Sequence, residues 1–257
     1  MATFLFDSIV FGPVRSRRLG VSLGINLLPV NSKICSFDCI YCECGWTDNK
    51  EKGRLPSREE VKTYLEERLQ KMQQKGDALD VITYAGNGEP TLHPDFASII
   101  DDSIELRDKY FPWAKIAVLS NSTMLCKPTV IAALKKVDQN ILKLDSAFDS
   151  TIKLLNQPRV KFTAEELVKN LMSFEGNLII QTLFLRGNFE GNVIDNTTEI
   201  EVNSWIELLK VIKPKEVMVY TIARDTPAQG LVKVPLKDLK SIAARVEALG
   251  IPVQVSA

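Results

Sequence analysis

Short apolar runs alternate along the chain with stretches in which apolar residues recur every three to four positions. The runs predict β-strands near 21–28, 80–85, 115–120, 140–145, 177–184, 216–221 and 252–255. The amphipathic stretches predict helices near 94–110, 128–137, 163–174, 199–212 and 236–249, and another that starts after Pro56 with Ser57 as its N-cap. Strands that alternate with helices indicate a parallel α/β sheet, in which functional residues collect at the carboxyl ends of the strands.

One stretch departs from this alternation. Residues 187–196 are rich in glycine and asparagine, which predicts a flexible loop. The loop would follow a strand at the mouth of a barrel. We expect it to be either a lid over the site or a surface excursion without a role there.

The composition is that of a chain with its own hydrophobic core and zero formal net charge. Its 257 residues are 45% hydrophobic and 25% charged, enough for one domain with a substantial core. Lysine and arginine number 32, as do aspartate and glutamate, so the whole-chain charge gives no general attraction to nucleic acid. No apolar run approaches the ~20 residues of a membrane span. Residues 1–7 do not resemble a secretory signal.

The chemistry of the chain is indicated most strongly by three cysteines in one short loop. Cys35, Cys39 and Cys42 follow the first predicted strand in a C-x3-C-x2-C spacing. Three close thiolates can hold three irons of a [4Fe–4S] cube and leave the fourth iron open to a small molecule. Disulfides are disfavoured, because these cysteines lie too close together to link distant elements.

A structural zinc site is the main alternative to a cluster. Tetrahedral zinc normally takes four protein ligands, so the fourth would have to be Cys44, Cys126 or His93. If neither of those two cysteines is a ligand, we expect both to be packed thiols, since free cysteine commonly behaves as a small apolar residue.

The cysteine loop, with the aromatic Tyr41 directly before the third cysteine, resembles the cluster motif of the radical S-adenosylmethionine (radical SAM) enzymes. The resemblance implies a partial (β/α)6 barrel, a [4Fe–4S] cluster on the three cysteines, and S-adenosylmethionine at the open iron. It implies reductive cleavage of S-adenosylmethionine to a 5′-deoxyadenosyl radical that abstracts hydrogen from a substrate, with an electron donor such as flavodoxin or ferredoxin. Such a cluster predicts a cytoplasmic location. We expect a monomer with an N-terminal extension over 1–20 and the barrel domain over 21–257.

A glycine-rich turn after the strand at 80–85 is similar to the Gly-Gly-Glu-Pro element of that family. In the family, the backbone of this turn and its acidic residue contact the amino group of S-adenosylmethionine. The matching residues here are Asn87, Gly88, Glu89 and Pro90, and Gly86 precedes them in the same turn. Gly86, Asn87, Gly88 and Glu89 are the expected contacts of the cofactor. Asn87 stands where the commonest version has glycine, and we expect it to adopt a left-handed backbone.

The ends of the next strands supply further candidates by the same resemblance. Ser120 and Asn121 correspond to residues near the ribose hydroxyls, and Tyr41 is expected beside the adenine. Capping of the following helix is the alternative for the first two. Asp145 is expected either to contact cofactor or substrate, or to cap the helix that begins near Asp149.

Three arginines precede the first predicted strand. Arg15, Arg17 and Arg18 lie in a segment similar to a Pro-Ser-Arg-Arg-Leu-Gly signature of a radical SAM branch related to the wyosine-forming tRNA enzymes. These arginines would bind phosphates or carboxylates of a partner, or tie the segment to carboxylates of the barrel. The resemblance favours an enzyme that modifies tRNA. The alternatives are the same chemistry on a small metabolite or peptide, and a non-catalytic iron–sulfur or zinc protein.

Overall fold

The computed structural model describes residues 4–16, 18–47 and 53–257, which form a curled sheet flanked by helices. The described strands are β1 (Val10–Ser16), β2 (Gly20–Ile25), β3 (Val81–Tyr84), β4 (Lys115–Ser120), β5 (Gln139–Lys143), β6 (Ile179–Leu183), β7 (Leu185–Phe189), β8 (Asn192–Asp195), β9 (Glu216–Tyr220), β10 (Leu231–Lys233) and β11 (Val253–Ser256). The α-helices are α1 (Arg58–Lys75), α2 (Phe96–Tyr110), α3 (Pro128–Lys136), α4 (Asp149–Asn156), α5 (Ala164–Met172), α6 (Glu199–Ile212) and α7 (Leu236–Glu247). No helix in this described part combines the length and the apolar character needed to cross a membrane.

The larger sheet has eight strands in the order β1-β2-β3-β4-β5-β6-β9-β11. From β2 to β11 every neighbouring pair is parallel, whereas β1 runs antiparallel to β2. At least one helix lies between each parallel strand and the next, which gives six β/α units and a final strand. The sheet curls into a half-barrel, so the predicted partial (β/α)6 barrel is confirmed. The seven predicted strands are the seven parallel strands.

Apolar side chains cover both faces of the sheet, as is usual for a parallel sheet. On the outer face, Leu65, Trp205 and Leu209 of the helices are buried against the strands. Inside the curl, a small cluster toward the amino ends of the strands closes the bottom of the barrel. It consists of Val81, Ala117, Ile141, Ile179 and Met218, with Leu19 packed against it. The opposite end, at the carboxyl ends of the strands, is left for polar side chains.

Residues 187–196 form strands, and the prediction of a flexible loop there is wrong. β7 and β8 make an antiparallel hairpin, and β10 pairs with the other edge of β7. The hairpin turns at Glu190 and Gly191, both at positive φ (49° and 79°), as in the tight turns that join twisted strands. The glycines and asparagines therefore belong to a turn and to short edge strands, whose composition resembles that of a loop.

Strand β1 is an element that the apolar pattern does not predict. Gly12 and Pro13 interrupt its apolar positions, and proline lacks a backbone donor, so the strand lies at the edge of the sheet. Phe11 packs over Gly24 of β2, where a Cβ atom would lie 2.1 Å from the ring. The strand belongs to the segment assigned to the N-terminal extension, and a domain boundary after residue 20 stays a prediction.

We expect Leu65→Ala to lower the free energy of unfolding by about 2–5 kcal/mol, because the change leaves a cavity under α1. Leu65 is 0% exposed, whereas Leu236, the position for a matched control, is 46% exposed. The same substitution at Leu236 should change stability by less than about 1 kcal/mol. Denaturant unfolding of the two variants measures the difference, and equal losses would contradict the packing of α1 on the sheet.

Candidate cofactor site

The cysteine loop lies between β2 and α1 and is pinned to the carboxyl ends of the parallel strands. The Ile34 amide donates to the Asn87 carbonyl (3.0 Å), and the Glu89 amide donates to the Ile34 carbonyl (3.1 Å). These bonds add the loop to the turn after β3 as a short parallel bridge. Farther along, the Ile40 amide donates to the carbonyl of Leu155 in α4 (3.0 Å). The loop is therefore held from both sides of the barrel mouth.

Side-chain amides from two different elements donate to thiols of this loop. Asn121, just after β4, donates from Nδ2 to Sγ of Cys35 (3.5 Å). Asn156, at the end of α4, donates from Nδ2 to Sγ of Cys39 (3.4 Å). Thiolates that bind iron–sulfur clusters usually accept hydrogen bonds from neighbouring groups, and these bonds tune the reduction potential of the cluster.

The third thiol is paired with a fourth cysteine. A hydrogen bond from the Cys44 side chain lowers the pKa of Cys42 to about 6, although burial opposes the shift. Burial raises the pKa of Cys35 to about 12. Cysteines bind metals as thiolates, and of these two thiols Cys42 is the more readily deprotonated at neutral pH. Cys126 is exposed, so the expectation of a packed thiol there is wrong.

A buried lysine supplies positive charge to the loop. Lys33 is 3% exposed; its ammonium group donates to the Gly45 carbonyl (2.7 Å) and lies 3.4 Å from the Asp38 carboxylate. Burial alone would lower the pKa of Lys33, but the three loop thiols and Asp38 outweigh it and raise that pKa. The positive charge of Lys33 therefore acts on all three thiols of the loop. Sequence reasoning missed Lys33, because one lysine beside a cysteine looks like an ordinary surface charge.

The residues considered for a zinc site are not arranged around a single ion. His93 uses both ring nitrogens, with Nε2 at 2.8 Å from the Pro56 carbonyl and Nδ1 accepting from the Asp95 amide (3.1 Å). Within residues 4–16, 18–47 and 53–257, no three His, Cys, Asp or Glu side chains form a group tight enough for one metal ion.

Asn87 acts through its side chain and not through a left-handed backbone. The expected positive φ is absent from Asn87 and occurs at the next residue, Gly88 (133°). The Asn87 amide is buried, where Oδ1 accepts from the Phe6 amide (2.8 Å) and Nδ2 donates to the carbonyls of Phe6 and Pro29 (2.8 Å each). An asparagine in this position therefore ties the turn to the N-terminal segment, which glycine could not do.

Glu89 is 2% exposed, and hydrogen bonds occupy both of its carboxylate oxygens. Oε1 accepts from the Thr91 amide (3.1 Å), from the Thr91 hydroxyl and from the Ser120 hydroxyl (2.8 Å). Oε2 accepts from the Asn121 amide (2.6 Å). Burial raises the pKa of Glu89, although the hydrogen bonds oppose that shift. The carboxylate thereby joins the ends of β3 and β4.

Asn121 extends this connection to the cysteine loop. Besides its contact with Cys35, its Nδ2 donates to Ser36 Oγ (2.9 Å). Its Oδ1 accepts from the Thr123 amide (3.0 Å), so it also supports the short 3-10 helix that follows. Both alternatives raised for this residue, a site role and a capping role, are therefore compatible with its position.

A buried polar network centred on Tyr41 borders the other side of the loop. The Tyr41 hydroxyl donates to Asp145, whose other oxygen accepts from the Leu183 amide (2.9 Å). Asn156 donates to Tyr41 (2.9 Å) and to Asp145 (2.7 Å), and Lys143 Nζ lies 2.9 Å from the Tyr41 hydroxyl. Burial raises the pKa of Tyr41 well above its ordinary value. Asp145 does not cap α4, and Lys143 and Asn156 are site residues that sequence reasoning missed.

Comparisons with known proteins agree with this geometry. A sequence profile of the Radical SAM superfamily matches residues 32–185. The chain is 32% identical to the UPF0026 protein MJ1312 of Methanocaldococcus jannaschii, over 89% of this chain and 67% of that protein.

Two solved structures share the fold at 15% identity, a level that concerns the fold alone. A radical SAM methyltransferase from Sphaerobacter thermophilus superposes with a TM-score of 0.68 over 91% of this chain and 65% of its own. Streptococcus suis SuiB bound to S-adenosylmethionine gives 0.64 over 90% of this chain and 50% of its own. The chain thus spans about half to two thirds of the length of these relatives, and the narrower relation to wyosine-forming enzymes stays a prediction.

We expect Glu89→Gln to lower the free energy of unfolding by about 1–3 kcal/mol. The side-chain nitrogen of the glutamine would face a hydrogen-bond donor that now faces a carboxylate oxygen of Glu89. Denaturant unfolding measures the loss. Glu59→Gln, the same change at an exposed position of α1, is the control and should stay within about 0.5 kcal/mol. If the two variants were equally stable, the Glu89 carboxylate would not connect the two strand ends.

Proposed function

Since the chain belongs to the radical SAM superfamily, we propose that it is a radical SAM enzyme whose Cys35, Cys39 and Cys42 hold a [4Fe–4S] cluster beside S-adenosylmethionine. When bound, the cluster would supply the electron that cleaves the sulfonium to methionine and a 5′-deoxyadenosyl radical. The observation that carries the proposal is the common setting of the three thiols. Their loop is hydrogen-bonded to the turn after β3, at the carboxyl ends of the parallel strands. There, side-chain amides donate to the thiols of Cys35 and Cys39, and the buried Lys33 adds positive charge to the loop.

The turn formed by Gly86, Asn87, Gly88 and Glu89 would bind the methionine part of S-adenosylmethionine. An ionised carboxylate has about four lone-pair sites, and Oε2 of Glu89 uses one hydrogen bond where Oε1 uses three. We assign the remaining capacity of Oε2 to the amino group of the cofactor. Gly88 has no room for a side chain, since a Cβ atom there would lie 1.9 Å from the Ile34 carbonyl oxygen.

Residues at the other strand ends would orient the nucleoside part. Ser120 and Asn121 are assigned to the ribose, and Tyr41 to the adenine side. The Tyr41 hydroxyl is fixed by Asp145, Asn156 and Lys143, so its ring offers a rigid wall. Such prior ordering reduces the entropy lost when a reactive group is positioned, and a closed wall keeps water away from a radical.

The two described arginines of the segment before β2 differ in exposure. Arg15 is exposed, Arg17 lies outside the described residues, and Arg18 turns into the barrel. With zero formal charge on the whole chain, this arrangement favours a small substrate over tRNA. A flavodoxin or ferredoxin as electron donor, a monomeric state and a cytoplasmic location complete the proposal.

We expect Cys35→Ala, Cys39→Ala and Cys42→Ala each to abolish the brown chromophore after anaerobic reconstitution, because two thiolates do not retain the cube. Iron and sulfide analysis with the visible spectrum measures cluster content. Cys126→Ala is the matched control, since this exposed thiol lies outside the loop, and it should keep the wild-type iron content. A protein lacking all three loop thiols that still held four irons would refute the assignment.

We expect the cluster-loaded wild-type protein to convert S-adenosylmethionine to 5′-deoxyadenosine when dithionite supplies the electron. Chromatography of the nucleoside products measures the reaction, and protein without iron is the blank. If fully loaded protein gave no 5′-deoxyadenosine under strict anaerobiosis, with nucleoside and metabolite mixtures as substrates, the proposed activity would be wrong. The protein would then be an iron–sulfur protein without this chemistry.

A further inference from the structure

Two cavities inside the barrel meet at the same charged side chains. One, of about 570 Å³, lies beside the first strands of the sheet, and the other, of about 240 Å³, adjoins the cysteine loop. Arg18, Glu43 and Arg224 line both, and Tyr41 and Cys42 line the smaller one. The combined space suits a small molecule. A group bound at Arg18 would therefore lie next to the loop that we assign to the cluster.

Arg18 enters this space from the connection between β1 and β2. Its amide donates to Ser16 Oγ (3.3 Å), and its carbonyl accepts from the Gln254 side chain (3.0 Å). Its guanidinium lies over the ring of Tyr220, 4.8 Å from the centroid, and donates to Gln181 Oε1 (3.3 Å). The guanidinium thus contacts β6 and β9, and β11 holds the backbone of Arg18, before any ligand arrives.

The charge of Arg18 is not compensated within the described residues. Glu43, the acidic residue among those that line the two cavities, is paired with Arg224 at 2.6 Å. Lys143 is likewise paired with Asp145 at 3.4 Å. A guanidinium has five N–H donors, and within the described part of the chain the Arg18 side chain uses one of them. Planar, paired donors of this kind match a carboxylate or a phosphate.

We propose that the barrel interior takes a small substrate with a carboxylate or phosphate group, and that Arg18 binds this anionic group. The inference rests on the proposed function, because it assigns the substrate class of the same site. The anion would sit at the end of the space away from β3 and β4, which leaves the rest of the molecule to extend toward the cysteine loop.

Two other anions compete for Arg18. The carboxylate of S-adenosylmethionine is disfavoured, because the turn assigned to the methionine part of that cofactor lies at the end of β3, whereas Arg18 contacts Gln181 of β6 and Tyr220 of β9. An RNA backbone is disfavoured, because Arg18 is half-buried and its guanidinium lies over the ring of Tyr220, in a cavity that adjoins the cysteine loop. Both become outcomes of the test.

The test is calorimetric titration of inorganic phosphate and of malonate into the anaerobically reconstituted protein at low salt. We expect millimolar or tighter binding of at least one anion, weakened at least tenfold by Arg18→Gln and less by Arg18→Lys. Arg245→Gln, the same change at a remote ion pair on α7, should keep the wild-type affinity. Glu43→Gln should tighten binding severalfold, because it removes the negative charge from the cavity, and a misfolded variant would not give that gain.

The pattern of results identifies the source of the anion. Binding of phosphate alone assigns a phosphorylated substrate, and binding of malonate alone assigns a carboxylic acid. Absence of binding to either anion, or equal binding by wild type and Arg18→Gln, overturns the proposal. So does a tenfold loss of S-adenosylmethionine affinity in Arg18→Gln with unchanged anion binding, or salt-sensitive tRNA binding that depends on Arg18 when neither anion binds.

This test does not depend on the proposed radical chemistry. The same titration on protein without iron reports anion binding by itself, whereas the cleavage assay with dithionite uses wild-type protein and no added anion. A protein that cleaves S-adenosylmethionine but binds neither anion would leave the proposed function intact and remove only the substrate class.

Discussion

The site depends on one buried chain of hydrogen bonds that joins three separate parts of the sequence. Glu89 accepts from the Asn121 amide (2.6 Å), and the Asn121 side chain donates to Ser36 (2.9 Å) and to the thiol of Cys35 (3.5 Å). The ends of β3 and β4 and the cysteine loop are thereby one unit. Without these bonds the loop would be conformationally free and would not hold its thiols together. Ordering it costs about 1–2 kcal/mol per residue in backbone entropy. The sheet meets that cost, because its parallel strands already place the partners at one edge.

Polar residues in this unit serve the fold and the proposed chemistry together. Both polar atoms of the Asn87 side-chain amide form hydrogen bonds that join the turn to the N-terminal segment. The Tyr41 hydroxyl is held by hydrogen bonds with Asp145 and Asn156. A polar group buried without partners would cost about 1–3 kcal/mol, so these groups are satisfied before any cofactor binds. A satisfied site is also a rigid one, which suits chemistry in which a radical must meet one hydrogen atom and not its neighbours.

How much of the molecule could be predicted from its sequence depends on how local each signal is. The parallel strands and their helices follow from periodicity within a dozen residues, and all seven parallel strands were predicted. Strand β1 and the hairpin of β7 and β8 were not predicted, because Pro13 and the glycines near Gly191 are residues typical of loops. The cysteine spacing is equally local. Lys33 and Lys143 were missed because their roles come from partners such as Asp145 that lie elsewhere in the fold, and spacing along the chain does not encode those partners.

The neutral composition of the chain and the unpaired charge of Arg18 are consistent, because net charge is a sum over the surface whereas a cavity responds to the charges that line it. Surface pairs such as Lys136 with Asp101 (2.6 Å) balance the total without affecting the barrel interior, since screening over about 8–10 Å removes their influence there. Inside, Lys143 is balanced by Asp145 and Arg224 by Glu43. Arg18 has no counter-charge among the described residues, and a substrate anion would supply one.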